Sequence, residues 1–282
     1  GSGDAASVAK LTAADARKFY QTWFKPNHST LVVVGDTTLA ELTPKLEKLF
    51  RAWMPGDVPH KNLAAVPPPA KPALYLIDRP GAQQSVIVAA DIAPSRPNPD
   101  ETAIETLNHI LGGSFTSRLN MNLREDKHWS YGVRSSLVDA RGPRPFLIVA
   151  PVQTDKTKEA AAELSRELKD IVGSRPASTD ELAKAQKDET LTLAGRWETS
   201  AAVANSIADL VRFDLPADYF TKYPDAVRAL RPEDLRRAAG EVVHPDRLVW
   251  VIVGDRAKIE PGLRESGLGQ IHVLNADGAE GH

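Results

Sequence analysis

An arginine and a tyrosine at a corner between two elements are the residues of this sequence best placed to act together on a bound molecule. Arg124 lies near the end of an apolar helical stripe in which Phe115, Leu119 and Leu123 recur at intervals of four residues. Tyr131 follows seven residues later, in a stretch that alternates large and small side chains and is typical of the start of a strand. Because the core holds both the helix end and the strand start, the guanidinium and the phenol, each a hydrogen-bond donor, can converge on one point.

Each of the two residues also has an ordinary structural interpretation. An arginine at the C-terminal end of a helix commonly offsets the helix dipole or forms a surface ion pair. A tyrosine in a strand is commonly a half-buried packing residue. The surrounding residues favour the functional interpretation, because Gly112-Gly113 and the run Ser117-Arg118-Leu119 accompany the pair. Arg118 and Glu125 are interpreted as structural residues in ion pairs.

Residues 111–133, LGGSFTSRLNMNLREDKHWSYGV, resemble a segment of the pitrilysin/insulinase-type zinc peptidases, the family that includes the mitochondrial processing peptidase. The family segment reads L-G-G-x-x-S-R-L-x-x-x-x-R-E-x-x-x-x-x-Y, and this sequence has one more residue between the di-glycine and the run Ser117-Arg118-Leu119. In that family an R-x6-Y pair belongs to a C-terminal domain without metal and reaches towards the zinc of another domain, where it holds the substrate carbonyl and the developing oxyanion. The matching positions are Arg124 and Tyr131, and the resemblance covers roughly residues 11–255.

Composition limits the classes of protein to which this chain can belong. Its 282 residues are 42% hydrophobic and 26% charged, as is usual for a globular protein. A formal net charge of -2 gives no broad basic surface, so nucleic acid is not an expected partner. No apolar run approaches the roughly 18 residues that span a bilayer, so no membrane span is expected. The chain has no cysteine, which excludes disulfides and thiolate zinc sites.

Hydrophobic patterns and capping residues predict alternating helices and strands. Thr12 and Ser178 each precede an acidic residue by three positions, which is typical of a helix start, and Asn98 precedes a proline at the first helical position. The predicted helices cover residues 13–25, 39–53, 99–111, 115–126, 161–172, 179–195, 200–212 and 217–229. The predicted strands cover residues 31–34, 73–78, 83–92, 131–138 and 146–152, with the last two forming an antiparallel hairpin.

The sequence contains an internal repeat. Residues 11–36 align without a gap on residues 230–255, at an offset of 219 residues. Each copy predicts a helix, a proline that ends it, a buried strand and a Gly-Asp exit. A repeat of this length indicates two whole domains rather than solenoid units. Only ten residues precede the first copy, so we expect it to be the last part of an incomplete domain.

The expected fold is therefore α+β, with a mixed, largely antiparallel sheet, helices on one face, and a partial copy of the same domain in front. The predicted domains are a remnant at 1–54, a proline-rich linker at 55–72, a complete domain without zinc ligands at 73–276, and a tail at 277–282. Strand 31–34 would expose unpaired backbone groups, so the chain can form a homodimer through this edge.

The zinc motif of the resembling family, H-x-x-E-H, has no match in this sequence. That motif needs two histidines one helical turn apart, with a glutamate between them as general base. None of the histidines has such a neighbour; they are His28, His60, His109, His128, His244, His272 and His282. We therefore predict no metal and no cofactor in this chain, and the resemblance implies zinc in a missing domain or in a partner subunit.

The resemblance implies that the chain completes the substrate chamber of a metalloendopeptidase and supplies Arg124 and Tyr131 for an extended peptide substrate, while being inactive alone. A second hypothesis is a catalytically inactive scaffold or substrate-binding subunit of the same family. A third is an unrelated α/β binding domain, which predicts no zinc-bearing partner. Bacterial relatives are often exported, so the resemblance also implies a periplasmic location.

Overall fold

The structure, a computed structural model, describes residues 3–62, 65–275 and 278. The chain divides into two units, the first formed by residues 1–64 and 195–212 and the second by residues 65–194 and 213–282. Residues 195–212, which were predicted to lie in the domain at 73–276, group with the first unit. Apart from Gly278, the predicted tail at 277–282 lies outside the described residues. Within the described part, no helix combines the length and the hydropathy that crossing a membrane requires.

The described part of the first unit consists of helices and irregular segments. The helices are α1 (Ala5–Val8), α2 (Ala13–Trp23), α3 (Leu39–Phe50) and α8 (Ser200–Phe213), of which residues 200–212 belong to this unit. The predicted start of α2 is confirmed, because the Asp15 amide donates to the Thr12 hydroxyl at 3.2 Å and the Thr12 amide donates to the Asp15 carboxylate at 2.9 Å.

The strand predicted at residues 31–34 does not form, and that prediction was wrong. Leu31 and Val33 are 60% and 47% exposed, and no described residue of the first unit is buried. A strand needs a neighbour that accepts and donates its backbone hydrogen bonds. The described residues of this unit contain no strand that could pair with this segment.

The second unit contains a six-stranded mixed sheet, which confirms the expected fold class. Its strands are β1 (Ala73–Asp78), β2 (Gln84–Ala93), β3 (Arg134–Leu137), β4 (Arg144–Gln153), β5 (Val249–Gly254) and β6 (Gln270–Leu274). Their order in the sheet is β3-β4-β2-β5-β1-β6. The pairs β3/β4, β4/β2 and β2/β5 are antiparallel, whereas β5/β1 and β1/β6 are parallel. The second copy of the repeat thus supplies a central strand, β5, with a partner on each side.

Helices cover one face of this sheet. They are α4 (Glu101–Asn108), α5 (Arg118–Asn120), α6 (Thr157–Val172), α7 (Thr179–Leu191), α9 (Tyr219–Ala229), α10 (Pro232–Val242) and α11 (Arg256–Arg264). Side chains alternate along the strands, so that Leu74, Leu76, Trp250 and Ile252 are almost fully buried under the helices. Their strand neighbours on the opposite face are only partly covered. The predicted one-sided arrangement of the helices is therefore confirmed.

Several predicted boundaries differ from the structure. Helix α4 starts at Glu101, because the Asn98 side chain accepts a hydrogen bond from the Asp100 amide at 3.0 Å and forms a turn ahead of the helix. The strand predicted from residue 131 begins only at Arg134, and the antiparallel hairpin with β4 is confirmed. Phe115 was predicted to begin the helix at 115–126, but it lies before α5 and is 58% exposed, so it does not belong to the buried stripe. Strand β6 was not predicted.

Candidate functional site

The chain makes a tight turn where helix α5 ends. A π-helical turn, Met121–Asp126, continues α5 and carries Arg124. The Trp129 amide donates to the Leu123 carbonyl at 2.9 Å, and the His128 amide donates to the Arg124 carbonyl at 3.2 Å. His128 has a φ of 56°, a left-handed conformation that non-glycine residues rarely adopt. This residue reverses the chain direction and leads it towards the sheet.

Hydrogen bonds to β4 hold the segment that leads to Tyr131. The Ser130 hydroxyl donates to the Pro151 carbonyl at 2.6 Å, and the Gln153 amide donates to the Trp129 carbonyl at 3.0 Å. Tyr131 itself is 87% exposed. The interpretation of this tyrosine as a half-buried strand residue is therefore wrong, because the backbone around it is fixed while its phenol extends into solvent.

Two neighbours orient the guanidinium of Arg124. Its central carbon lies 4.5 Å from the centre of the Phe115 ring, a cation–π contact. Its Nε lies 3.2 Å from the Glu125 carboxylate, and both of these side chains are a little over one-third exposed. The predicted ion pairs of Glu125 and of Arg118, which binds Glu181 at 2.6 Å, are confirmed. An exposed pair of this kind contributes at most about 1 kcal/mol, so it directs the guanidinium more than it stabilises the fold.

Arg124 and Tyr131 line the same two cavities, which have volumes of about 280 and 270 Å³. The other residues that line the first cavity are Gln84, Glu125, His128, Trp129, Ser130 and Gln153. The other residues that line the second cavity are Gly112, Gly113, Ser114, Phe115, Asn120, Gly132, Val133 and Arg134. The structure therefore brings together the two residues that the sequence analysis singled out.

The glycine pair ahead of the corner allows close packing. A π-helical turn, His109–Gly113, extends α4 and ends in this pair. A Cβ at Gly112 would lie 2.5 Å from the backbone nitrogen of Ser135, and a Cβ at Gly113 would lie 3.0 Å from the Asn108 carbonyl oxygen. Any side chain at Gly112 would push this turn away from β3. The di-glycine of the sequence motif thus allows this turn, which lines the second cavity, to pack directly against β3.

The corner presents a charged donor and a phenolic hydroxyl to open cavities. Such a pair can hold an oxygen atom of an extended peptide, especially one that gains negative charge. Sequence reasoning missed the roles of two neighbours, Phe115 and His128. The position of Phe115 between the di-glycine and the Ser117 helix start was a usable signal that it lies outside the helix. The left-handed backbone of His128 has no such signal, since it is set by the packing on both sides.

The described residues contain one group of carboxylates whose oxygens lie within 4.8 Å of one another, formed by Glu101, Glu105 and Asp139. Glu101 pairs with Arg144 at 2.5 Å and with Arg96 at 2.7 Å, and Arg144 also pairs with Asp139. Two guanidinium groups thus take the place that a cation would need, and zinc prefers nitrogen and sulfur ligands. This cluster does not suit zinc, and we interpret it as an ion-pair network. Burial, together with the charge of Glu101, raises the pKa of Glu105 to about 7.

Two of the histidines also have carboxylate partners of their own. His109 lies 2.9 Å from Asp188, and His244 lies 2.7 Å from Asp91. In the described part of the chain, neither histidine joins a group with the donors that a zinc site requires. The residues that the structure describes therefore do not fit the metal of a zinc peptidase.

Comparison with known proteins identifies the family of this chain. Residues 10–188 match the sequence model of the family described as the peptidase M16 inactive domain. The zinc protease PqqE of Helicobacter pylori (strain ATCC 700392 / 26695) is 24% identical over 246 residues. That alignment covers 83% of this chain and 53% of the relative, so the chain spans about half the length of that relative.

Solved structures share the fold. The crystal structure of a peptidase M16 inactive domain from Pseudomonas fluorescens has a TM-score of 0.78 at 23% identity, covering 89% of this chain and 59% of that one. The crystal structure of a protease from Helicobacter pylori has a TM-score of 0.75 at 21% identity, covering 89% of this chain and 61% of that one. With the sequence match spanning more than half of its 282 residues, the chain belongs to the peptidase M16 inactive-domain family.

Proposed function

We propose that this chain supplies Arg124 and Tyr131 to the hydrolysis of an extended peptide, in a peptidase whose zinc is held by another domain of the same family. That domain belongs either to the same polypeptide or to a partner subunit. The observation that carries the proposal is the placement of both donors in the walls of the same two cavities. The similarity to a zinc protease and the match to the inactive-domain family support it.

The two side chains have complementary roles in this proposal. When bound in its own domain, zinc would supply an activated water for attack on the scissile carbonyl. As the carbonyl oxygen gains charge, the guanidinium of Arg124 and the hydroxyl of Tyr131 donate hydrogen bonds to it. Donors that are already in place stabilise such charge without reorganisation, and loss of one typically lowers turnover by about a hundredfold to a thousandfold. Phe115 and Glu125 keep the guanidinium directed for this task.

The first unit offers a surface on which a further domain, outside this chain, would pack. Its first repeat copy exposes Phe19, Leu31 and Val33 at 58%, 60% and 47%. The corresponding residues of the second copy, Ala238, Trp250 and Ile252, are at most 1% exposed within a complete sheet and helix layer. We propose that a domain of the same α+β fold covers these exposed apolar side chains of the first copy. That domain is the expected site of the zinc.

Peptide hydrolysis by the assembled peptidase tests the function. Arg124→Ala and Tyr131→Phe are expected to lower kcat at least tenfold, with the full effect near the hundredfold expected for a lost oxyanion donor. Arg264→Ala is a matched control, since this exposed arginine of α11 also pairs with a glutamate. It should leave kcat unchanged.

Unchanged turnover in folded Arg124→Ala and Tyr131→Phe variants would contradict the proposal. The pair would then be structural, and the chain would be better explained as a scaffold or substrate-binding subunit. A rise in KM with an unchanged kcat would indicate a role in substrate binding alone.

A further inference from the structure

A buried asparagine joins the two sides of the corner. Asn120 lies at the end of α5 and is 4% exposed. Its Nδ2 donates to the Phe115 carbonyl at 2.7 Å, and its Oδ1 accepts from the Val133 amide at 3.1 Å. The first bond holds the residue whose ring lies against the Arg124 guanidinium. The second holds the backbone two residues beyond Tyr131.

We propose that Asn120 is a positioning residue that sets the relative placement of Arg124 and Tyr131, an inference that rests on the function proposed above. The hydrogen bonds of this side chain go to Phe115 and Val133 and not to the guanidinium or the phenol, so it would act through those two residues. An amide suits this place because it offers donors on one atom and an acceptor on the other. An ionised aspartate keeps the acceptor and loses the donor, whereas leucine has a similar shape and loses both.

Burial makes these two bonds important for the geometry. Without Asn120, the Val133 amide and the Phe115 carbonyl would lose their partner in a place with little access to water, so both segments would move to restore hydrogen bonding. Before Tyr131, the segment is held to β4 through Trp129 and Ser130. After it, the bond from the Val133 amide to Asn120 holds the backbone ahead of β3, which begins at Arg134. A shift of about 1 Å in an oxyanion donor is enough to lower turnover by roughly a hundredfold.

The matched control is Gln186 of α7, whose amide also bonds to backbone groups. Its Nε2 donates to the carbonyls of Val227 at 2.9 Å and Leu230 at 3.1 Å. It lines neither of the two cavities. Gln186→Met therefore removes a comparable set of hydrogen bonds without touching the corner.

The experiment compares Asn120→Leu, Asn120→Asp and Gln186→Met in the assembled peptidase. We expect Asn120→Leu to lower kcat about tenfold or more with KM changed less than about threefold, as for an interaction made only in the transition state. Hydrogen exchange at the Val133 amide should accelerate in Asn120→Leu and stay slow in Asn120→Asp, which keeps the acceptor. Gln186→Met should preserve both kcat and this exchange rate.

A second comparison separates positioning from general destabilisation. In a chain that already carries Arg124→Ala and Tyr131→Phe, Asn120→Leu should lower the residual turnover by less than about twofold, since its effect passes through the missing groups. If Asn120→Leu retains kcat while Arg124→Ala and Tyr131→Phe lose it, the inference about Asn120 is overturned and the proposed function stands. If all three variants retain kcat, the inference about Asn120 and the proposed function are both overturned. If Asn120→Leu does not fold, slow Val133 exchange and lowered kcat in Asn120→Asp support the inference, whereas fast exchange overturns it.

Discussion

The two copies of the repeat have similar sequences and different structures. Residues 230–255 form helix α10 and strand β5, which lies between β1 and β2 in the sheet. Residues 11–36 form helix α2, but the segment corresponding to β5 has no strand partner among the described residues. Trp250 is 1% exposed, and its counterpart Leu31 is 60% exposed. The same local pattern thus gives the same helix in both places and a strand in only one.

The difference shows which part of such a unit is autonomous. Helix α2 forms because its hydrogen bonds and its cap lie within a few residues of one another. A strand has no internal hydrogen bonds, so its formation depends on neighbours supplied from elsewhere. The exposed apolar side chains of the first copy therefore indicate a missing packing partner, whereas those of the second copy are already covered by neighbouring elements.

The largest expected effect comes from substituting the corresponding apolar residues of the two copies. Trp250→Ala should lower the free energy of unfolding of the second unit by about 3–5 kcal/mol, because it leaves a cavity under the helices. Leu31→Ala should change it by about 0.5 kcal/mol or less, as for an exposed residue. Urea unfolding followed by circular dichroism measures both. Similar losses in the two variants would show that the first copy is buried as well.

A smaller effect is expected when charge is placed on the exposed copy in the presence of a partner. Phe19→Asp combined with Val33→Asp should weaken binding to a zinc-bearing domain of the family by about a hundredfold, since two apolar anchors become charged. Met54→Asp is the control, because Met54 is 69% exposed and lies outside the repeat. Sedimentation of the mixed domains gives the affinities. Equal binding by all variants would show that the partner covers a different surface.

The smallest effect concerns pH and is restricted to the second unit. The pKa of Glu105 is raised from 4.5 to about 7 by burial and by the charge of Glu101, with Asp139 adding to the rise and Arg96 opposing it. The folded chain therefore keeps this proton at pH values where the unfolded chain has released it. The contribution to the free energy of unfolding is complete below about pH 4.5 and is lost as the pH rises through about 7.

Replacement of Glu105 by glutamine should flatten this pH dependence. The side chain is 34% exposed, so solvent screening keeps the effect below about 1 kcal/mol. Urea unfolding of the wild type and Glu105→Gln between pH 4.5 and 7.5 measures the change in slope. The first unit contains no part of this network, so its hydrogen exchange should show the same pH dependence in both proteins. An unchanged slope in Glu105→Gln would mean that the pKa of Glu105 is not raised in the folded chain.

Local patterns predicted most of the second unit. Strand β1 was predicted with its observed bounds, and the Ser178 cap of α7 forms the expected reciprocal hydrogen bonds with Glu181. Strand β6 was missed, although it pairs in parallel with β1. Its pairing involves residues almost 200 positions apart, and periodicity within one segment carries no information about that partner.

At the candidate site, the sequence identified Arg124 and Tyr131, and their placement in two shared cavities agrees with the prediction that they lie close together. Their catalytic role remains a proposal. The expected burial of Phe115 was wrong, since helical spacing predicts which residues share a face only where the helix exists. The connection through Asn120 depends on a contact between residues 13 positions apart that no pattern in this sequence indicates.

The family motif, the helix caps, most of the strands and the repeat could be identified before the fold was known, because each depends on residues close together in the chain. Tertiary structure decided which copy of the repeat becomes a buried strand, since that requires hydrogen-bonding neighbours on both sides. It also decided that Tyr131 is exposed and that the Phe115 ring lies against Arg124. These outcomes follow from packing between distant segments, where the free energy of burial outweighs local preference.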